Sequence, residues 1–107
     1  MHSCERIAVK QYERVVIVGV GLLGGSIGLA LRARKLAKYV VGISPRGSSL
    51  ALAIELGAID SASTSFAAAC RDADLAIVCT PVQSVAEHVL QCYQAMPTDS
   101  LITDVGS

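Results

Sequence analysis

The chain has 107 residues, 52% of them hydrophobic, and nine basic side chains balance nine acidic ones. This length suits one small globular domain, and the absent basic excess argues against an electrostatic grip on nucleic acid or anionic lipid. The charges are unevenly placed: between Arg14 and Arg32 lie seventeen consecutive uncharged residues, Val15 to Leu31.

A run of that length reaches the lower limit for a membrane span. The pairs Gly21/Gly25 and Gly24/Gly28 have the spacing that lets membrane helices approach closely, and Arg32, Arg34, Lys35 and Lys38 could form a positive flank. Against this reading stand five glycines within the run, each costing about 1 kcal/mol relative to Ala inside a helix. The run divides better into a strand, a turn and a helix. Val15 to Val18 are β-branched and favour a strand, Gly19-Val20-Gly21-Leu22-Leu23-Gly24 follows, and helical apolar spacing begins at Leu22. Glu5 and Glu13 in the leader also fit a secretory signal poorly. Residues 1–13 are read as an amino-terminal arm, with a loose arm or short strand extension up to Tyr12, and residues 14–107 as the domain.

The alternation continues along the chain. Tyr39 to Ile43 form a second strand. Ser48 or Ser49 can cap a short helix bearing Leu50, Ala53 and Ile54, with Gly57 beyond its end. Ala58 to Asp60 supply a very short third strand, and Ser65 to Cys70 a weak Ala-rich helix. Leu75 to Cys79 are continuously apolar, as for a parallel strand covered on both faces. Thr80-Pro81-Val82-Gln83 reads as a capping box with Pro at the first helical position, followed at helical spacing by Val82, Val85, Ala86, Val89, Leu90 and Tyr93. Pro97 ends this helix, and Leu101 to Thr103 form a fifth strand.

Strands alternating with helices imply right-handed crossovers and a doubly wound parallel α/β sheet of the Rossmann type. Ligands of such sheets bind beyond the carboxyl ends of the strands, where strand order reverses. The candidate walls are therefore Gly19 to Gly24, Ser44 to Gly47, Thr80 to Gln83, and Asp104 to Ser107. In the first wall a GxGxxG pattern joins a β-branched run to a helix, the context that a dinucleotide fingerprint requires. Gly19 permits the tight turn, Gly21 lets the backbone approach a pyrophosphate, and Gly24 lets helix and strand pack closely. Leu22 and Leu23 offer backbone N–H groups to an anion at the helix N-terminus. A larger residue at Gly21 is expected to abolish dinucleotide binding and spare the fold.

In the second wall Ser44 stands twenty residues after Gly24, where an NAD site usually carries an acidic residue for the ribose 2′-OH. The neutral Ser44 and the nearby Arg46, which could pair a 2′-phosphate through two bonds, favour NADP over NAD; Arg46 as a plain turn residue is the alternative. Cys4, Cys70, Cys79 and Cys92 show no C-x-x-C pairing, which leaves metal and redox motifs unsupported, and reduced thiols fit a cytoplasmic setting. Cys79 is expected to fill the core. Asp72 and Asp74 read as a solvated turn at the far edge, Asp104 as a loop-capping side chain, and His2 and His88 as surface residues.

The stretches VVIVGVGLLGGSIGLAL, VVGIS, DADLAIVCTPV and LITDVGS together resemble the amino-terminal domain of prephenate/arogenate dehydrogenases, the oxidoreductases of tyrosine biosynthesis. The resemblance runs from Arg14 to Ser107, and the TDVGS segment is its most specific part. It implies hydride transfer from the ring carbon bearing the hydroxyl to NAD(P), with loss of CO2 making the ring aromatic. Thr80, Pro81 and Val82 would lie along the cofactor, and Ser107 would help to orient the substrate hydroxyl and a catalytic histidine. That histidine, a sixth strand and a helical domain supplying substrate contacts and a homodimer interface would lie beyond Ser107, so the chain reads as an incomplete domain able at most to bind cofactor. Two alternatives share the glycine loop: an oxidoreductase of the 3-hydroxyacid or imine reductase type, and a non-enzymatic NAD(P)-sensing module.

Overall fold

The computed structural model describes residues 11–44 and 50–105. Among these residues five strands and four helices alternate in the order β1 (Tyr12–Val18), α1 (Leu22–Ala33), β2 (Ala37–Ile43), α2 (Leu50–Glu55), β3 (Ser61–Ser63), α3 (Phe66–Cys70), β4 (Leu75–Val78), α4 (Val82–Ala95) and β5 (Leu101–Asp104). The strands are all parallel in the order β3-β2-β1-β4-β5. The order therefore reverses between β1 and β4, the two strands flanking the place where such sheets bind ligands.

Residue alternation along the central strands divides the core in two. Val15, Ile17, Leu75 and Ile77 pack with Val40, Leu50, Ala53 and Ile59 on one face. Val16, Val18, Ala76 and Val78 pack with Val41, Ile43, Cys70, Cys92 and Met96 on the other. The four side chains from Val15 to Val18 are wholly buried, and each such burial is worth about 1.5–3 kcal/mol. A continuous β-branched run at the sheet centre is thus required by cover on both faces.

The uncharged run from Val15 to Leu31 is β1, the turn and most of α1, and among the described residues no helix is long and apolar enough to cross a membrane. Gly24 and Gly28 do serve a close approach, but within this fold. A Cβ at Gly24 would stand 2.3 Å from the Gly19 carbonyl oxygen, and one at Gly28 2.3 Å from that of Ala58.

Several expected boundaries move. β1 begins at Tyr12, which pairs with Ala37 of β2 and donates its N–H to Leu36 at 2.8 Å, and on the β4 side the Asp74 carboxylate accepts the backbone N–H groups of Glu13 at 2.9 Å and Arg14 at 3.0 Å. Asp74 is thereby a tie between the starts of β1 and β4 rather than part of a solvated turn. The third strand is Ser61–Ser63, not Ala58 to Asp60. Ala58 and Ile59 instead donate to the Ala53 carbonyl and fill the core beneath α2, and pairing with β2 starts only at Ser61 opposite Val41. The chain turns out of α2 at Gly57, two residues past its end, with a φ of +82° that suits glycine. α1 closes in the same way on Lys35: Leu36 N–H donates to Leu31 and Lys35 N–H to Arg32, with Lys35 at φ +54° where glycine is usual. The serines expected to cap α2, Ser48 and Ser49, lie outside the described residues.

Candidate dinucleotide site

The loops that leave β1, β2, β4 and β5 emerge side by side because the strands end in register. Val18 is level with Ile43 and Val78, and Val78 with Asp104. Backbone bonds continue this alignment past the strands: Gly19 N–H donates to Ile43 at 2.7 Å, Cys79 N–H to Val18 at 2.8 Å, and Val105 N–H to Val78 at 3.1 Å.

At the centre of this edge, the three glycines of the fingerprint stand in three different surroundings. Gly19 has φ +90°, and a Cβ there would meet the Thr80 methyl at 2.8 Å and the Cys79 carbonyl carbon and oxygen at 3.1 Å. Gly24 is buried against the Gly19 carbonyl and Ile17. Among the described residues no other atom lies within 4 Å of where a Cβ on Gly21, the N-cap of α1, would be. Gly19 and Gly24 are thus glycines because the protein fills their space, whereas the space over Gly21 is open.

That open space lies over donors. α1 has no side-chain cap and no acidic residue in its first turn, so the N–H groups of its first turn and its positive pole face outward. Leu22 is 92% exposed, the opposite of what an apolar side chain at a closed helix start would show. The arrangement can hold an anion through main-chain N–H groups, with close approach allowed by the bare Gly21.

The flanking walls are small and polar. Ser44, at the end of β2, and Thr80, after β4, are both buried. Pro81 and Val82 are exposed at the start of α4. The capping box expected from Thr80 to Gln83 does not form. Pro81 itself is the N-cap and has no polar side chain to close the helix start, and the Thr80 hydroxyl is hydrogen-bonded instead to His88 Nδ1 at 2.9 Å. His88 is correspondingly not a surface residue. It is half-buried in α4 with its ring stacked on Phe66 at 5.7 Å between centroids. Its spacing from Thr80, two helical turns, was the available signal. Arg46 and Ser107 lie outside the described residues.

The thiols stand apart from this chemistry. Cys79 is half-buried against the core face that holds Val15 and Ile17, and burial pushes its thiol up. The Cys92 thiol is buried beside that of Cys70, and this neighbour and burial push it up as well. Among the described residues no group of His, Cys, Asp and Glu could hold a metal ion.

Comparison with known proteins adds the family. Residues 27–107 match the model of the prephenate dehydrogenase nucleotide-binding domain. The chain belongs to that family. The prephenate dehydrogenase of Bacillus subtilis (strain 168) is 32% identical over 96 residues, covering 89% of this chain and 26% of its own length. The crystal structure of prephenate dehydrogenase from A. aeolicus in complex with hydroxyphenyl propionate and NAD+ superposes with a TM-score of 0.81 at 31% identity, over 89% of this chain and 34% of that one. Synechocystis arogenate dehydrogenase gives a TM-score of 0.78 at 27% identity, over 86% and 32%. The chain therefore spans about a quarter to a third of the relatives it matches, and its five-stranded sheet is the nucleotide-binding part of their architecture.

Proposed function

We propose that this chain is the NAD(P)-binding portion of a prephenate or arogenate dehydrogenase, with the dinucleotide lying across Gly19, Gly21, Leu22, Leu23 and Gly24. The observation that carries the reading is the open face of Gly21 at an uncapped helix start, flanked by two glycines whose faces are filled. The pyrophosphate would rest on the first-turn N–H groups of α1, the adenosine ribose beside Ser44 and Arg46, and the remainder along Thr80, Pro81 and Val82. When bound, the nicotinamide would accept hydride from the substrate ring, and loss of CO2 would make that ring aromatic. The part of this chain is to hold and orient the cofactor and, through Ser107, to help orient the substrate hydroxyl. The catalytic base, the choice between prephenate and arogenate, and a homodimer interface belong to the remaining length of the enzyme.

The cofactor in this proposal is NADP in preference to NAD, since Ser44 offers no carboxylate against a 2′-phosphate and Arg46 offers a cation for it. The setting is cytoplasmic, in keeping with free thiols at Cys70, Cys79 and Cys92. Fluorescence titration of the chain with NADPH and NADH tests both levels. Saturable binding of either supports the site, and tighter binding of NADPH, weakened by Arg46→Ala while NADH is unaffected, supports the preference. Failure to bind either nucleotide would remove the reading.

A further inference from the structure

The first glycine of the turn does not rest on backbone alone. The Thr80 methyl, Cγ2, lies 2.8 Å from the position that a Gly19 Cβ would take, so this methyl is packed directly against the face of Gly19. Thr80 is buried, and its hydroxyl is bonded to His88 Nδ1 at 2.9 Å. The His88 ring is itself held by stacking on Phe66, with the two planes 25° apart. Four residues thus form one chain of contacts: Phe66 at the start of α3, His88 in the middle of α4, Thr80 after β4 and Gly19 after β1.

A threonine has three staggered χ1 wells, and they place its methyl and hydroxyl in different directions. The bond to His88 Nδ1 selects the well in which the hydroxyl faces α4 and the methyl faces Gly19. We propose that His88 is a positioning residue for the glycine turn: by holding the Thr80 hydroxyl it fixes the Thr80 methyl as the floor beneath Gly19, and so sets the turn that presents Gly21. That the turn carries a dinucleotide rests on the function proposed above; that His88 sets its conformation does not.

Two substitutions separate the ring from its nitrogen. His88→Phe keeps an aromatic face for Phe66 and removes Nδ1. His88→Asn loses the stack but keeps a side-chain amide that can bond the Thr80 hydroxyl as donor or acceptor. The ligand-free readout is hydrogen exchange of the Gly19 amide, which donates to Ile43 at 2.7 Å, relative to the Val41 amide in the core of β2. His88→Phe is expected to speed Gly19 exchange about three- to tenfold over that of Val41, the effect of one lost neutral hydrogen bond, and His88→Asn to restore most of the difference. NADPH affinity is expected to follow the same order.

Unchanged Gly19 exchange in His88→Phe, an equal acceleration at Val41, or no recovery in His88→Asn would each overturn the proposal. Should His88→Phe not fold, Thr80→Ser tests the floor itself, keeping the hydroxyl for His88 and removing the methyl, with the same expected acceleration at Gly19; unchanged exchange there would overturn the proposal. If the unaltered chain binds neither NADPH nor NADH, the dinucleotide reading fails, while the exchange rates still decide the role of His88.

Discussion

Placing a side chain at Gly21 and at Gly24 should have opposite consequences, though both glycines belong to one motif. An alanine at Gly24 puts its Cβ 2.3 Å from the Gly19 carbonyl oxygen and 3.2 Å from Ile17 Cγ2. Relief requires α1 to retreat by roughly 1 Å, since ordinary contacts lie near 3.5 Å. Because the nearest obstacle is backbone, the cost belongs at the upper end of overpacking, about 3 kcal/mol, offset by about 1 kcal/mol of helix propensity. A net loss of about 2 kcal/mol lowers Tm by roughly 8–15 °C in a domain of this size. An aspartate at Gly21 enters open space at the N-cap of α1, where its carboxylate can accept a first-turn N–H and face the positive pole. Tm should hold or rise slightly. Nucleotide binding should nevertheless collapse, because a carboxylate about 4 Å from a phosphate costs roughly 4 kcal/mol near a protein surface, close to a thousandfold in Kd. Circular dichroism melts and NADPH titrations of Gly21→Asp and Gly24→Ala test the pair. If Gly21→Asp melted as early as Gly24→Ala, or bound NADPH like the unaltered chain, the separation of fold from site at this turn would be wrong.

Asp74→Ala should lower stability by about 1–3 kcal/mol in urea unfolding, because it leaves the Glu13 and Arg14 N–H groups without their acceptor. Its NADPH affinity should not change, since Asp74 sits at the far end of the strands from the glycine turn. Lys35→Gly should raise stability by about 0.5–1 kcal/mol, a gain in Tm of several degrees, by relieving a lysine held at φ +54°. Burial raises the thiol of Cys79 above its ordinary 9.0. The folded chain therefore keeps a proton that the unfolded chain releases, so the thiol's contribution is complete below pH 9.0 and is lost as pH rises through the folded value. Denaturation curves at increasing alkaline pH should show stability falling less steeply in Cys79→Ala; an identical slope would show that Cys79 does not contribute.

What could be read from the sequence follows from where the determining contacts lie. β1, β2 and β4 were legible because burial on both faces leaves an unbroken apolar run, and the glycine turn because φ +90° at Gly19 and the close packing at Gly24 admit no other residue easily. β3 was misplaced for the converse reason. Its apolar neighbours Ala58 and Ile59 fill the core without pairing in the sheet, while the paired residues, Ser61 to Ser63, are polar or small. Asp74 and His88 were misread as solvent-facing because their partners are remote or structural: Arg14 is 60 residues from Asp74, and the use of Thr80 as a capping residue was the local alternative that its bond to His88 displaced.

The two ends of the sheet are held by different chemistry, and this separates stability from binding. Asp60 and Asp74 each stand one residue before a strand, and each carboxylate accepts backbone N–H from the neighbouring strand: Val40 from Asp60's side at 2.7 Å, and Glu13 and Arg14 beside Asp74. Asp60 is also paired with Arg32 near the end of α1. The negative charges thus tie the amino ends of the strands. At the carboxyl ends of β1, β2 and β4 the corresponding positions are Gly19, Ser44 and Cys79 with Thr80, and the first carboxylate at that edge is Asp104 on the outermost strand. A carboxylate used as a tie beside α1 would stabilise the fold equally well, yet it would oppose an anion at the helix start. With the ties placed at the other end, the uncapped N–H groups of α1 face a turn without a local negative charge, which is the condition an anionic ligand there requires.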